Sequence, residues 1–211
     1  MTRARVEPLP RWRVEEFLEL PSTQTFLRER LQAGADVHGL VARAERQASG
    51  RGRGDKTWTS PPGGSYQSLA LQDRWHGALR DPQLTLRLGV RLATELREAG
   101  AAASVKWPND VYLGEGKLGG VLCVYVSGHR LVGVVVNVAN QVPPNGAALV
   151  GWELTYVNEL VLEAIRTAVA ELLSDAAEPY DLPARFAPVD FLAGRSVMVR
   201  AGKRSVEGTA Q

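Results

Sequence analysis

From Ser104 to Val138 the chain is a succession of short apolar runs broken by tight turns, and this stretch limits the fold more than any other. Ser104–Lys106 reads as a brief strand that Trp107-Pro108 ends, because a proline pushes the residue before it into extended backbone and closes the helical alternative. Val111–Leu113 and Leu118–Val126 read as strands around Gly114-Glu115-Gly116. Leu131–Val138 follows the turn Ser127-Gly128-His129-Arg130. Strands joined by such short turns are antiparallel neighbours, since a parallel return needs a crossover of about a dozen residues or more. The sheet is therefore expected to be mixed or antiparallel.

Helical signals flank this meander. Ser22-Thr23 opens a helix carrying Phe26, Leu27 and Leu31, which Gly34 stops. Asp81-Pro82 predicts an N-cap with proline at the first helical position, and Leu84, Leu88, Leu92 and Leu96 recur until Gly100. Thr155 is the expected cap of a long helix carrying Val157, Val161, Ile165, Val169 and Leu172. His38–Ala44 and Tyr66–Leu71 read as further strands, and Ala48–Gly64 as a glycine-rich, basic, proline-broken loop. Residues 1–12 read as a loose lead-in and Pro179–Pro188 as a linker. Ser196–Arg200 and Ser205 onward predict a hairpin about Gly202-Lys203. A lone hairpin is marginal, so this one must dock on the main domain or on another chain. The fold class is α+β, with a larger unit over residues 1–180 and a small β unit over 188–211.

Composition narrows the function classes. With 211 residues and 45% hydrophobic residues the chain can bury one sizeable core. A net charge of +2 does not by itself argue for nucleic acid. Cys123 is the only cysteine, so no internal disulfide forms and a reducing cytoplasm is expected. No apolar run approaches the roughly 20 residues of a membrane span. The basic start Met1–Arg5 has no apolar segment behind it and does not read as a secretory signal. Lys56, Lys106, Lys117 and Lys203 are the only lysines, while arginine is abundant. A lysine kept in such a chain points to work that needs a compact ammonium rather than a planar fork.

Two clusters carry candidate chemistry. In Gly50-Arg51-Gly52-Arg53-Gly54-Asp55-Lys56-Thr57-Trp58, backbone N–H groups and guanidinium forks suit a phosphate or carboxylate. The alternatives are a solvated basic loop or a nucleic-acid contact. In Lys106-Trp107-Pro108-Asn109-Asp110, Asp110 could hold Mg²⁺ with water and phosphate oxygens, or Pro-Asn-Asp could simply make an Asx turn. Lys117, beside Gly119 and Gly120, could neutralise a carboxylate or a developing phosphate charge, or be a solvated hairpin lysine. Those glycines remove side chains where a ligand or another backbone approaches. Asn137 reads as a strand-end hydrogen bonder or a ligand contact, and Trp58 as a lid or a core anchor. His38, His76 and His129 show no metal or triad spacing, and no Gly-x-Ser-x-Gly elbow or cysteine cluster is present.

Taken together, Ser22-Thr23-Gln24, Gln47, Gly50–Arg53, Trp58–Pro61, Lys106–Asp110, Lys117–Leu122 and Gly133…Asn137 resemble biotin–protein ligases in order and spacing. The resemblance is strong over residues 12–140 and holds in outline beyond. It implies a mixed sheet with helices like that of class II aminoacyl-tRNA synthetases, then a small SH3-like β-domain, here shorter than the family's. It also implies a two-step reaction. Biotin and ATP give biotinyl-5′-AMP and pyrophosphate, and a lysine of a biotin carboxyl carrier domain then takes the biotin.

By position, the resemblance assigns biotin's ring and ureido end to Ser22, Thr23, Gln24 and Gln47. Gly50, Arg51, Gly52 and Arg53 match the loop over biotin and the adenylate. Gly119, Gly120 and Gly133 line the biotin site, with Trp107, Val121 and Leu122 as apolar walls. Lys117 matches the lysine near the carboxylate and α-phosphate and, with Arg51 and Arg53, would be catalytic. Lys106, Asn109, Asp110, Asn137 and Trp58 match the nucleotide end, with Asp110 toward Mg²⁺. A homodimer is frequent in the family. No DNA-binding segment is expected, since only some 20 residues precede Ser22 where repressor-type members carry a helix-turn-helix. The chain departs from the family pattern at Gly54-Asp55-Lys56, where Arg-x-Gly-Arg is common. It departs again at Val124, where glutamate is common, and at Val135, which replaces a glycine. Lipoate–protein ligase and a catalytically weakened biotin binder are the alternatives within this fold. A nucleic-acid module using Arg51 and Arg53 is the alternative outside it.

Overall fold

The structure, a computed structural model, describes residues 9–74, 77–174, 181–202 and 204–210. His76, Lys203, most of the N-terminal lead-in and the start of the expected linker lie outside the described residues.

Among the described residues, ten strands and four α-helices run in the order β1 Arg13–Leu20, α1 Thr23–Gln32, β2 Leu40–Arg51, β3 Thr57–Ser60, β4 Ser65–Gln72, α2 Leu84–Glu98, β5 Ala103–Lys106, β6 Asp110–Leu113, β7 Gly116–Val126, β8 His129–Val136, α3 Leu154–Ser174, α4 Leu182–Phe186, β9 Ser196–Ala201 and β10 Arg204–Thr209. The first eight strands form one sheet in the order β1-β2-β4-β8-β7-β6-β5, with β3 paired to β2, and β9 and β10 form a second, two-stranded sheet. The meander β5-β6-β7-β8 is antiparallel throughout, as its turns require. Among the strands of the described residues only β1 pairs in parallel, with β2, which makes the sheet mixed.

Side-chain alternation gives the sheet two different faces. Val41, Leu69, Val132, Val134 and Val136 point to one side, where α2 and α3 cover them. Leu84, Leu88, Leu92 and Leu96 of α2 are each 2% exposed or less, and burying one such side chain contributes about 1.5–3 kcal/mol. On the other side α1 packs on Leu40, Ala42, Ala70 and Leu131, and beyond it the same face carries a cleft.

Several boundaries differ from those read in the sequence. β1 falls where no strand was expected. It is an edge strand whose Glu15, Glu16 and Glu19 pair with Arg30, Arg43 and Arg46, contacts that exist only once the sheet is built. About half of the expected loop Ala48–Gly64 is strand, because β2 continues to Arg51 and β3 returns along it, Trp58 opposite Gly50. Asp81 does not cap α2 directly. Its carboxylate accepts from Gln83 N at 2.8 Å in an Asx turn, and the helix begins at Leu84. Thr155 lies inside the first turn of α3, one residue beyond its start. The middle of the expected linker is α4, capped by Asp181, which accepts from Ala184 N at 3.0 Å.

The β9–β10 hairpin is tethered to the main sheet just ahead of it. Phe191 N donates to Val105 O at 3.0 Å, and Arg195 grips Glu115 through two nitrogens at 2.8 and 2.6 Å. That bidentate bond from Arg195 holds the Glu115 carboxyl below the usual carboxylate range.

Candidate active site

The open face carries a cleft of about 640 Å³. Its floor is set by register. One rung of the sheet runs Ala42–Ser68–Gly133–Leu122, and the next runs Ala44–Tyr66–Val135–Gly120–Asp110–Lys106. Residues on one rung share a face, so the second rung carries the Lys106–Asp110 block directly alongside Val135 and Gly120.

At one end lies a recess of neutral hydrogen-bonding groups. Ser22 caps α1, which brings Thr23 to the helix N-terminus and over the sheet. Gln47 Oε1 accepts from Thr23 N at 2.9 Å and Thr23 Oγ1 at 3.2 Å, while its Nε2 donates to Ser60 Oγ at 2.8 Å. The Thr23 and Ser68 hydroxyls are bonded at 2.8 Å. Gln24 Nε2 donates to Leu122 O at 2.9 Å and lies 3.2 Å from where a Cβ on Gly133 would be. Tyr66 closes the layer beneath. Burial pushes its hydroxyl well above its ordinary pKa, so it stays a neutral donor, to Pro61 O at 2.8 Å. Such a recess suits an uncharged amide- or urea-like group. Gly133→Ala should crowd Gln24 and Ser68 and weaken binding of the ligand's neutral end about 10-fold, read by titration, with little change in melting temperature.

At the other end the cleft is cationic. Lys117 Nζ pairs with Asp110 Oδ1 at 2.8 Å and sits 5.2 Å from the Trp58 ring centroid. Its backbone is clamped by the following loop, with Lys117 N donating to Asn145 O and Ala147 N to Lys117 O, both at 2.9 Å. Lys106, Arg51 and Arg53 complete the wall. Between β2 and β3, residues 52–56 make a tight turn, closed by Gly52 N to Lys56 O at 2.7 Å and needing Gly54 at φ +65°. Asp55 is exposed there and does not line the cleft, which keeps a carboxylate away from an anionic ligand.

Most residues singled out in the sequence converge here: Ser22, Thr23, Gln24, Gln47, Arg51, Gly52, Arg53, Trp58, Lys106, Trp107, Asn109, Asp110, Lys117, Gly120 and Gly133 all line the cleft. Three do not. Gly50 packs against Trp58 O, and Gly119 against Val135 O. Asn137 is a buried peg whose Nδ2 donates to Ala147 O at 3.0 Å and Lys117 O at 3.4 Å, holding the loop to Lys117. Trp107 is 62% exposed, at the mouth rather than in an apolar wall. Leu122 is on the floor, but Val121 points to the helix-covered face and joins the core. Ser68 was missed. The sequence signal was a polar pair, Gln67-Ser68, inside a strand whose remaining residues from Tyr66 to Leu71 are apolar or aromatic.

A neutral recess and a cationic end on one floor define a protein that orients a polar ligand and draws its anionic part, or an anionic co-substrate, to two lysines. Among the described residues no cluster of His, Cys, Asp and Glu could hold a metal ion unaided. The chain belongs to the Biotin/lipoate A/B protein ligase family, whose match covers residues 16–140. It is 26% identical over 209 residues to the Bifunctional ligase/repressor BirA of Escherichia coli, covering 91% of this chain and 64% of the relative. With the Biotin--[acetyl-CoA-carboxylase] ligase of Mycobacterium tuberculosis it shares 29% over 147 residues, covering 65% and 55%. The chain thus spans less than two thirds of the length of either relative. Among solved structures, the biotin protein ligase from Aquifex aeolicus in complex with biotin and ATP superposes with a TM-score of 0.78 at 28% identity, covering 93% of this chain and 85% of that one.

Proposed function

We propose that this chain is an ATP-dependent biotin–protein ligase. The observation that carries the reading is the single cleft floor on which a neutral recess of Thr23, Gln47 and Ser68 runs into the Lys117–Asp110–Lys106 end. Biotin has a neutral ureido head and a carboxylate tail, and the cleft is ordered the same way. In the first step a biotin carboxylate oxygen attacks the α-phosphorus, the bond to pyrophosphate breaks, and biotinyl-5′-AMP remains. In the second, an acceptor lysine amine attacks the acyl carbon and AMP leaves. Neither step needs a protein nucleophile. Both need orientation and charge stabilisation, which Lys117 supplies at the carboxylate and α-phosphate and Lys106 along the phosphates. Arg51 and Arg53 cover the adenylate from the β2–β3 turn.

Asp110 offers one hard oxygen ligand, which suits Mg²⁺, since that ion takes one or two carboxylates and completes its shell with water and phosphate. When bound it would neutralise phosphate charge. The acceptor in this reading is the lysine of a biotin carboxyl carrier domain, and the setting is the cytoplasm. A homodimer belongs to the same reading, and the edge of β1, with Leu18 76% exposed, is an available sheet edge. So does the division into units over 1–180 and 188–211. No helix among the described residues is long and apolar enough to cross a membrane.

The test is ATP-dependent transfer of labelled biotin to a carrier domain, run beside lipoate. Pyrophosphate release with lipoate alone reassigns the substrate, and tight biotin binding without adenylate formation reassigns the protein as a binder. Arg51→Ala should speed escape of biotinyl-5′-AMP about 10-fold by removing one charge-assisted contact, measured by filter retention of labelled adenylate. Unchanged retention removes Arg51 from the cover.

A further inference from the structure

The two cleft lysines are held in different ways. Lys117 is paired with a carboxylate, Asp110. Among the described residues no carboxylate pairs with Lys106. Its ammonium instead lies 5.6 Å from the Tyr112 ring centroid and 5.9 Å from that of Phe191. The two rings stack on each other at 4.2 Å with 29° between their planes. Arg195 lies over Phe191 at 4.1 Å and is itself fixed to Glu115. Phe191 is placed by backbone as well. Asp190 makes a parallel bridge to Val105, and Phe191 N donates to Val105 O at 3.0 Å, so the segment covers the free edge of β5 next to Lys106.

Aromatic rings attract an ammonium without cancelling its charge, so a lysine held against a ring pair stays available to an anion. Phe191 comes from the segment that leads into the β9–β10 hairpin, well beyond residues 16–140 of the family match. We propose that Phe191, with Tyr112, is a positioning residue for Lys106, and that through it the C-terminal segment sets the affinity of the cleft for the nucleotide's phosphates. The inference rests on the ligase reading for the identity of the nucleotide, and on the geometry alone for the joint.

The experiment is calorimetric titration of the full chain with ATP and, separately, with biotin. Phe191→Leu keeps apolar volume and removes the ring face. It should weaken ATP about 3- to 10-fold and leave biotin within about twofold, while Phe191→Tyr restores ATP affinity. In a Lys106→Gln background, Phe191→Leu should have no further effect on ATP. Where Phe191→Leu lowers the melting temperature, Tyr112→Leu reads the same contact from its other ring and should give the same selective loss. Unchanged ATP affinity, equal weakening of both ligands, or a loss that persists in Lys106→Gln overturns the proposal. A wild-type protein that binds ATP but releases no pyrophosphate with biotin overturns the ligase reading while the titrations still decide the joint. One that binds no ATP overturns both.

Discussion

Lys117→Ala is expected to lower biotin-dependent pyrophosphate release by about 10²–10³-fold, the usual cost of removing one preorganised charge-stabilising donor. Its fold should survive. The side chain is 32% exposed, and an ion pair this open contributes at most about 1 kcal/mol. The bonds that hold the segment, to Asn145 O and from Ala147 N, are backbone bonds and remain. Melting temperature and secondary structure should therefore match wild type while turnover collapses. Asp110→Asn separates two roles for the pair. If Asp110 only parks Lys117, the neutral amide leaves the ammonium in place and turnover falls far less than in Lys117→Ala. If Asp110 also works at the nucleotide end, ATP affinity falls as well. Lys117→Ala turnover within about threefold of wild type would remove the lysine from the chemistry, since no charge-stabilising role is that small.

What could be read before the structure depended on how local its cause was. Leu84, Leu88, Leu92 and Leu96 announce α2 because one helix face is enough to bury them. The meander announces itself through Gly114, Ser127 and Gly128, whose positive φ values fix the turns locally. β1 was silent because its glutamates gain arginine partners only after distant segments assemble. The Gly50–Arg51 end of β2 read as loop because glycine weakens a strand in isolation, yet here its missing side chain lets Trp58 O pass. The candidate site shows the same division. The Lys106–Asp110 block and Lys117 were legible as a motif. That Asp110 and Gly120 lie on one rung with Val135 and Tyr66 is a fact of register. Asn137 could be read as a strand-end hydrogen bonder or as a ligand contact, because a buried amide and a binding amide are written alike. Only its bonds to Ala147 O and Lys117 O tell them apart. Phe191 gave no signal, since its importance comes from Val105, Tyr112 and Lys106, all far away in the chain.

Gly119 and Gly120 form a pair whose members the sequence cannot separate, and they predict opposite outcomes. A Cβ on Gly119 would stand 2.1 Å from Val135 O and 3.2 Å from Val136 Cα, so it meets backbone of the neighbouring strand. Neither can retreat without parting β7 from β8, the two strands that carry the cleft floor. Gly119→Ala should therefore destabilise by about 1–3 kcal/mol, the usual range for overpacking. At about 2–4 °C per kcal/mol for a chain of this size, the melting temperature should drop clearly. On Gly120 the Cβ would lie 3.1 Å from Asn109 O and 3.5 Å from Asp110 Oδ1, on the cleft side of the same strand. Gly120→Ala should cost less stability than Gly119→Ala, because its one tight contact, Asn109 O at 3.1 Å, asks for a shift of a few tenths of an ångström rather than the parting of two strands. It should instead reduce the stabilisation that ligands confer, since the methyl intrudes between Asp110 and Val135. Thermal melts of both variants, with and without biotin and ATP, separate the effects. A Gly119→Ala protein that melts like wild type would show that β7 and β8 are not held at this spacing, and the floor built on their register would have to be redrawn.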